Sequence, residues 1–302
     1  MIHPTAQRVV LALLAGAPTL AQAQDEAAAA LWRLAATTVP LPAALAVGSP
    51  SAFWNPAQQL GRGRAHGGLE FVQAPAEVGA SGMLAAMHVS LGRIGHAGLV
   101  YGRMRIDDLV RTIDSPDPLP GSIQHDTHTL GLTWTRGVIG ATVGATVAYH
   151  QNRLDEHQSH RWTMDVGVRH RLGDVVRLAA ATHFLSPGPA AARDVYGALG
   201  LRIWHGALWP GSGEARLELR YGVAVAHGFA ADHQTGLGFD LSDAFGADLL
   251  VGREGGYGGG GWRPAAGLRV TIGRYRVTVA RDAGTEDIGS AFRIGLEARV
   301  DD

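Results

Sequence analysis

Alternation of apolar and polar residues dominates this chain from about residue 67 onward. In 127–135, THTLGLTWT, Leu130, Leu132 and Trp134 fall on one face and Thr127, Thr129, Thr133 and Thr135 on the other. In 139–149, IGATVGATVAY, Ile139, Val143, Val147 and Tyr149 oppose Gly140, Thr142, Gly144 and Thr146. Residues 215–225 set Leu217, Leu219, Tyr221, Val223 and Val225 against Arg216, Glu218 and Arg220. Residues 292–300 set Phe292, Ile294, Leu296 and Val300 against Arg293, Glu297 and Arg299. A period of two over such lengths predicts strands with one apolar and one polar face.

Fourteen strands are predicted, at 68–73, 82–92, 95–107, 124–136, 137–150, 161–172, 175–184, 194–204, 214–226, 234–241, 244–253, 263–273, 274–282 and 288–300. Most run nine residues or more. Ordinary strands average about five or six, whereas a strand crossing a bilayer at a tilt needs roughly 9–11. An even count suits a bacterial single-chain barrel. The connections point the same way. If the chain enters the barrel from the periplasm, the odd-to-even links face outward: 74–81, 108–123, 151–160, 185–193, 227–233, 254–262 and 283–287, each of several residues or more. The even-to-odd turns near Gly92–Ile94, Arg136–Gly137, Gly173–Asp174, Ser242–Asp243 and Gly273–Arg274 are tight, with 205–213 as the exception. Long outer links and short inner turns are the habit of outer-membrane barrels. The expected fold is all-β, a 14-stranded antiparallel transmembrane β-barrel over 67–302.

Composition fits this expectation. The 42 glycines are about twice the usual share of roughly 7%. Many fall on the polar, lumen-facing side, among them Gly131, Gly140, Gly144, Gly167, Gly200, Gly267 and Gly295, where small residues leave internal space and permit curvature. GREGGYGGGG (252–261) falls in an outer link without the strand–helix context of a nucleotide-binding loop. A formal net charge of −1 argues against a nucleic-acid partner. With no cysteine, disulfides and thiolate metal sites are excluded. Residues 1–23 read as a signal peptide: Arg8, the apolar run VVLALLAGAPTLA (9–21), then Ala21-Gln22-Ala23 as a cleavage site. No later run is long and apolar enough for a spanning helix.

Residues 24–66 do not alternate. DEAAAALWRLAATTV (25–39) predicts one short helix ended by Pro40 and Pro42. AVGSPSAFWNPAQQL follows. Asn55 before a proline favours a turn that its own side chain can start. Phe53 and Trp54 bring large apolar surface that needs a partner. A small residue, two aromatics and Asn-Pro-Ala shortly before a long barrel resembles the long-chain fatty-acid transporter (FadL) superfamily and its shorter PorV/PorQ-type members. The hairpin sequence at 274–300 is similar to that of the PorV/PorQ group. The resemblance implies a hatch folded inside the barrel, with Phe53, Trp54, Asn55, Pro56 and Ala57 plugging the pore. The family usually continues with Gly where this chain has Gln58.

Inward charges Arg169, Arg171, Arg202, Arg216, Glu218, Arg220, Arg269, Arg293, Glu297 and Arg299 are expected to line the lumen. They would pair with acids to hold the interior together, or mark an anion-preferring path. His125, His128, His150, His157 and His160 would meet at the outer rim, as solvated side chains or as a weak zinc or copper site. No G-x-S-x-G, H-E-x-x-H or phosphate loop suggests an enzyme, and no cofactor is implied. The expected location is the outer membrane of a Gram-negative-type bacterium, with outer-membrane lipid as the surrounding partner. Resemblance implies a PorV/PorQ-type role in export or surface attachment of secreted proteins, or FadL-like transport of a hydrophobic ligand. For a lateral exit, 234–241 and 244–253, short and acidic at Asp240 and Asp248, are the candidate strands.

Overall fold

The computed structural model describes residues 23–57, 63–75, 78–111, 119–186, 193–210, 213–242, 244–253, 261–284 and 289–300. Residues 1–22, with most of the signal-peptide reading, and Gln58 lie outside the described residues. The alternating segments become fourteen strands: β1 (Ala65–Gln73), β2 (Ala80–Ser90), β3 (His96–Arg111), β4 (Leu119–Val138), β5 (Ala141–Leu154), β6 (His157–Leu172), β7 (Val176–Leu185), β8 (Asp194–Ala207), β9 (Glu214–Ala226), β10 (Asp232–Leu241), β11 (Phe245–Arg253), β12 (Trp262–Ile272), β13 (Tyr275–Asp282) and β14 (Ala291–Val300). Each pairs antiparallel with its sequence neighbours, and β1 closes on β14 from Ala65↔Val300 to Gln73↔Phe292. Closure leaves no edge strand to satisfy.

The faces divide as the alternation predicts. Leu130, Leu132 and Trp134 are exposed on the outer wall, while Thr127, Thr129, Thr133 and Thr135 are buried inside. Leu132, Leu249 and Ile272 stand 69%, 59% and 73% exposed, which suits a wall facing hydrocarbon rather than water. Exposed tryptophans lie toward both ends of the wall, Trp162 and Trp262 on the loop side and Trp134 and Trp204 on the turn side. Amphipathic rings favour the membrane–water boundaries.

Three local expectations are corrected. The link 151–160 is not a long loop: β5 and β6 pair out to Leu154↔His157, leaving a two-residue turn at Asp155-Glu156. Asp155 takes positive φ there (56°), as tight hairpin turns require. The β4–β5 turn sits at Ile139-Gly140, not at Arg136–Gly137. Ile139 (φ 45°, 98% exposed) and Gly140 (φ 75°) therefore belong to no strand face. Strand pairing, which adds a hydrogen-bonded pair for every second residue, carried β4 past the point where the apolar pattern faded. Finally, β10 and β11 show no gap. They pair without interruption from His233↔Arg253 to Leu241↔Phe245, and on their other sides with β9 and β12.

The core lies inside the barrel. Helix α1 (Ala23–Thr37) places Leu31, Trp32 and Ala35 on one buried face. Thr37 and Thr38 donate their hydroxyls to the carbonyls of Leu34 and Ala35, both at 2.7 Å, and Pro40 prevents continuation. Two short 3-10 turns follow, Ala43–Leu45 and Ser49–Phe53. Leu31, Trp32, Val39, Leu41, Leu45 and Trp54 cluster with Val72, Leu84, Met104 and Tyr196 of the wall.

Candidate functional site

The N-terminal segment between α1 and Ala57 is mostly irregular backbone in a closed space, so its carbonyls need donors from elsewhere. The inward face of the wall supplies them. Arg169 on β6 donates from Nη2 to the carbonyls of Ala44 (3.1 Å) and Ala46 (2.7 Å). Thr135 on β4 donates to the Pro56 carbonyl at 2.7 Å. His183 on β7 is hydrogen-bonded through Nε2 to the Trp54 carbonyl at 2.7 Å. Arg293 on β14 donates to the Ala35 carbonyl (2.7 Å) and the Thr38 hydroxyl (2.9 Å). Leaving such a buried group unpaired costs about 1–3 kcal/mol.

Asn55 is the internal tie. Its Nδ2 donates to the Ala44 carbonyl at 2.8 Å, and its Oδ1 accepts the Ala57 backbone N–H at 2.9 Å. The second bond is the Asx turn expected of an Asn ahead of Pro. The first joins the two ends of the 3-10 region and was invisible in sequence. Phe53 stacks on Trp32 with centroids 5.9 Å apart and planes 13° from parallel. Trp54 lies beneath the guanidinium of Arg293, 5.5 Å from the ring centroid.

The inward glycines are a correction in detail. Gly144, Gly167 and Gly267 do not leave open space but receive the N-terminal segment, while the places beside Gly131, Gly200 and Gly295 are filled by side chains of the wall itself. A Cβ at Gly144 would strike the Pro56 carbonyl, and one at Gly167 would strike Asn55 Oδ1. At Gly267 and Gly222 it would strike Pro40 and Pro42. At Gly102 it would meet the Trp32 and Phe53 rings, at 2.5 and 2.9 Å.

On the turn side of this segment lies a cavity of about 710 Å³. Leu41, Leu45 and Val47 line it from the N-terminal segment. Eight arginines line it (171, 177, 202, 216, 220, 269, 276 and 299) against three acids, Asp174, Glu218 and Asp240. Much of this charge is paired in one chain. Arg177 grips Glu218 bidentately, with Nε–Oε1 at 2.6 Å. Glu218 also accepts from Arg220 Nε at 2.8 Å, and Arg220 pairs with Asp248. Arg269 pairs with Asp240 and reaches Asp248 at 3.4 Å; Arg216 reaches Asp240 at 3.9 Å. Asp240 and Asp248 thus serve the arginines of the interior.

Of the lumen residues read from sequence, Arg171, Arg202, Arg216, Glu218, Arg220, Arg269 and Arg299 line this cavity. Arg169 and Arg293 instead hold the N-terminal segment. Glu297 pairs with Arg276 at 3.4 Å and abuts Gly48, whose φ of 94° lets the backbone pass close. Sequence reasoning missed Arg177, Arg276, Thr135 and His183. Their strand parity was the available signal, since each alternates with outward neighbours.

The five histidines do not meet. His150 is buried inside between Thr129 (2.8 Å) and Thr163 (2.7 Å). His128 faces outward, 2.7 Å from Asp126, and His160 lies against Tyr149 with ring centroids 6.1 Å apart. His125 and His157, on the two strands flanking β5, share the inward parity of His150. Strand alternation sends i and i+3 to opposite faces, which separates His125 from His128 and His157 from His160. Among the described residues no group of three His, Cys, Asp or Glu side chains is placed to hold a metal.

The comparisons match the fold, a closed antiparallel barrel. The fold is similar to that of two toluene transporters. One is TodX of P. putida: TM-score 0.54, 9% identity, covering 84% of this chain and 94% of that one. The other is TbuX of Ralstonia pickettii: TM-score 0.53, 11% identity, covering 85% and 95%. No family model and no curated protein sequence matches.

Proposed function

We propose that this chain is an outer-membrane transporter for hydrophobic small molecules, with residues 24–66 as a hatch that closes the lumen. The observation that carries this reading is the wall's grip on the segment: polar side chains of β4, β6, β7 and β14 hold its backbone from several sides. A segment held by a few polar contacts per strand, rather than by a continuous ladder, can shift without unfolding the barrel. The cavity beneath it has the size of a small-molecule site. Its apolar side from Leu41, Leu45 and Val47, set against arginines, suits a ligand with an apolar body and an acidic group. The likeness in fold to two proteins named as toluene transporters fits a hydrophobic small molecule as cargo.

The test is to purify the barrel in mild detergent, identify what accompanies it by mass spectrometry, and repeat with residues 24–60 deleted. Bound hydrophobic material that is lost on deletion, with conductance rising, is the expected result. Unchanged conductance and unchanged bound material would end the hatch reading. The PorV/PorQ-type export role rests on the sequence of the β13–β14 hairpin. A secreted protein co-purifying in place of a small ligand would favour it.

A further inference from the structure

The outer wall carries a groove of about 350 Å³ on the loop side of β14, β1, β2 and β3. The strand register arranges it in two rows. In one, Ile294 pairs with Phe71, Phe71 with Met83, and Met83 with Arg103. In the next, Phe292 pairs with Gln73, Gln73 with Ser81, and Ser81 with Arg105. Both rows face outward, because the intervening Val72 and Met104 are buried inside. One end of the groove is therefore apolar and the other cationic. Phe71 and Ile294 are 53% and 54% exposed, and Arg103 and Arg105 are exposed beside them. A third cation closes the far side: the Arg281 guanidinium lies 5.4 Å from the Phe292 ring centroid.

Neither hydrocarbon nor water alone suits this surface. Guanidinium groups facing only acyl chains are expensive, and Phe71, Phe292 and Ile294 facing only water gain nothing. The level where acyl chains meet phosphates satisfies both. Among the described residues the acids beside these arginines each have a partner. Asp107 lies 3.1 Å from Arg105 Nε, and Asp126 lies 2.7 Å from His128. Arg105 also donates from Nε to Ser81 Oγ at 3.2 Å, so both of these contacts orient the guanidinium through one nitrogen. Planar guanidinium forks match phosphate oxygens.

We propose that this groove binds a phosphorylated, multiply acylated glycolipid of the outer leaflet, of the lipid A type. An acyl chain would lie against Phe71, Met83, Phe292 and Ile294, with a phosphate at Arg103 and Arg105. The proposal rests on the membrane placement above, with the longer links outward, and not on what the lumen carries. Native mass spectrometry of the purified barrel in mild detergent, titrated with bisphosphorylated lipid A, tests it. Saturable binding is expected. It should fall about ten- to hundredfold in Arg103→Ala/Arg105→Ala. It should fall similarly with dephosphorylated lipid A, and stay unchanged in Arg253→Ala, which removes an outward arginine from β11. If the double variant does not fold, as read by heat-dependent gel migration, Arg103→Gln leaves the Arg105 contacts intact and should show a smaller loss in the same direction. Equal binding by wild type, the arginine variants and Arg253→Ala would overturn the proposal. So would equal binding of the dephosphorylated lipid, or no binding by wild type. Loss of lumen cargo without loss of lipid binding would fault the transport reading alone.

Discussion

Arg293 holds its guanidinium 5.5 Å from the ring centroid of Trp54. The same side chain donates to the Ala35 carbonyl, the Thr38 hydroxyl and, at 2.8 Å, the Glu70 carboxylate of the neighbouring strand. One residue thus joins the barrel seam between β1 and β14 to two parts of the N-terminal segment, the end of α1 and Trp54. Arg293→Met removes the charge and leaves Glu70 enclosed without this partner. Removing one member of a buried pair costs about 3–5 kcal/mol. We expect the hatch to become sensitive to protease while the barrel stays closed. Limited proteolysis beside heat-dependent gel migration reads the two separately. Protection equal to wild type would argue against the clamp.

Asn55→Ala truncates the buried side chain and removes both its bonds, to the Ala44 carbonyl and from the Ala57 N–H. Each lost bond is worth about 0.5–1.5 kcal/mol. The Ala44 carbonyl keeps Arg169, so the loss is partial. Planar-bilayer recordings should show more frequent or larger openings with unchanged barrel stability. Asn55→Asp keeps Oδ1 and should restore the turn but not the link to Ala44, giving intermediate conductance.

Gly144→Val forces a side chain into the Pro56 carbonyl. Overpacking of a tight site costs about 1–3 kcal/mol, which here falls on hatch docking. Gly67 on β1 serves as the control, because its Cβ would meet nothing nearer than the Ala86 carbonyl at 3.9 Å. Conductance should rise in Gly144→Val and remain at wild-type level in Gly67→Ala. The opposite order would show that inward glycines do not seat the hatch.

Asp248 is the shared acid of Arg220 and Arg269 and is buried. Asp248→Asn keeps the shape and removes the charge, so two arginines lose a counterion. In a hatch-deleted barrel, reversal potentials under a salt gradient should move toward anion selectivity. The full-length variant should also melt lower. No change in selectivity would mean that the arginine–acid network is structural only.

Much of the barrel was legible in the sequence. Each strand repeats a period of two across many residues, so Leu130, Leu132 and Trp134 were assigned to one face and the threonines to the other without any tertiary information. Errors came where pairing outran the pattern. His157 and His160 read as loop because their run is polar, yet β5 and β6 continue pairing through them. The candidate site was less legible. Its aromatic turn was visible at Phe53 and Trp54, but its anchors lie far away in sequence: Thr135, Arg169, His183 and Arg293 act on residues between 35 and 56.

The sequence by itself determined that this chain closes a long-stranded barrel with an apolar exterior, because a two-residue period and strand length are local properties that no distant contact needs to supply. It also determined that SAFWNP forms a turn, since proline restricts the residue before it and Asn55 can bond its own backbone. Only the tertiary structure decided what that turn touches. Barrel closure brings β4, β6, β7 and β14 around one enclosed space, and there Gly144 and Gly167 become seats and Arg169 and Arg293 become clamps. An enclosed carbonyl must find a donor, and which strand provides it depends on the register and curvature of the whole wall.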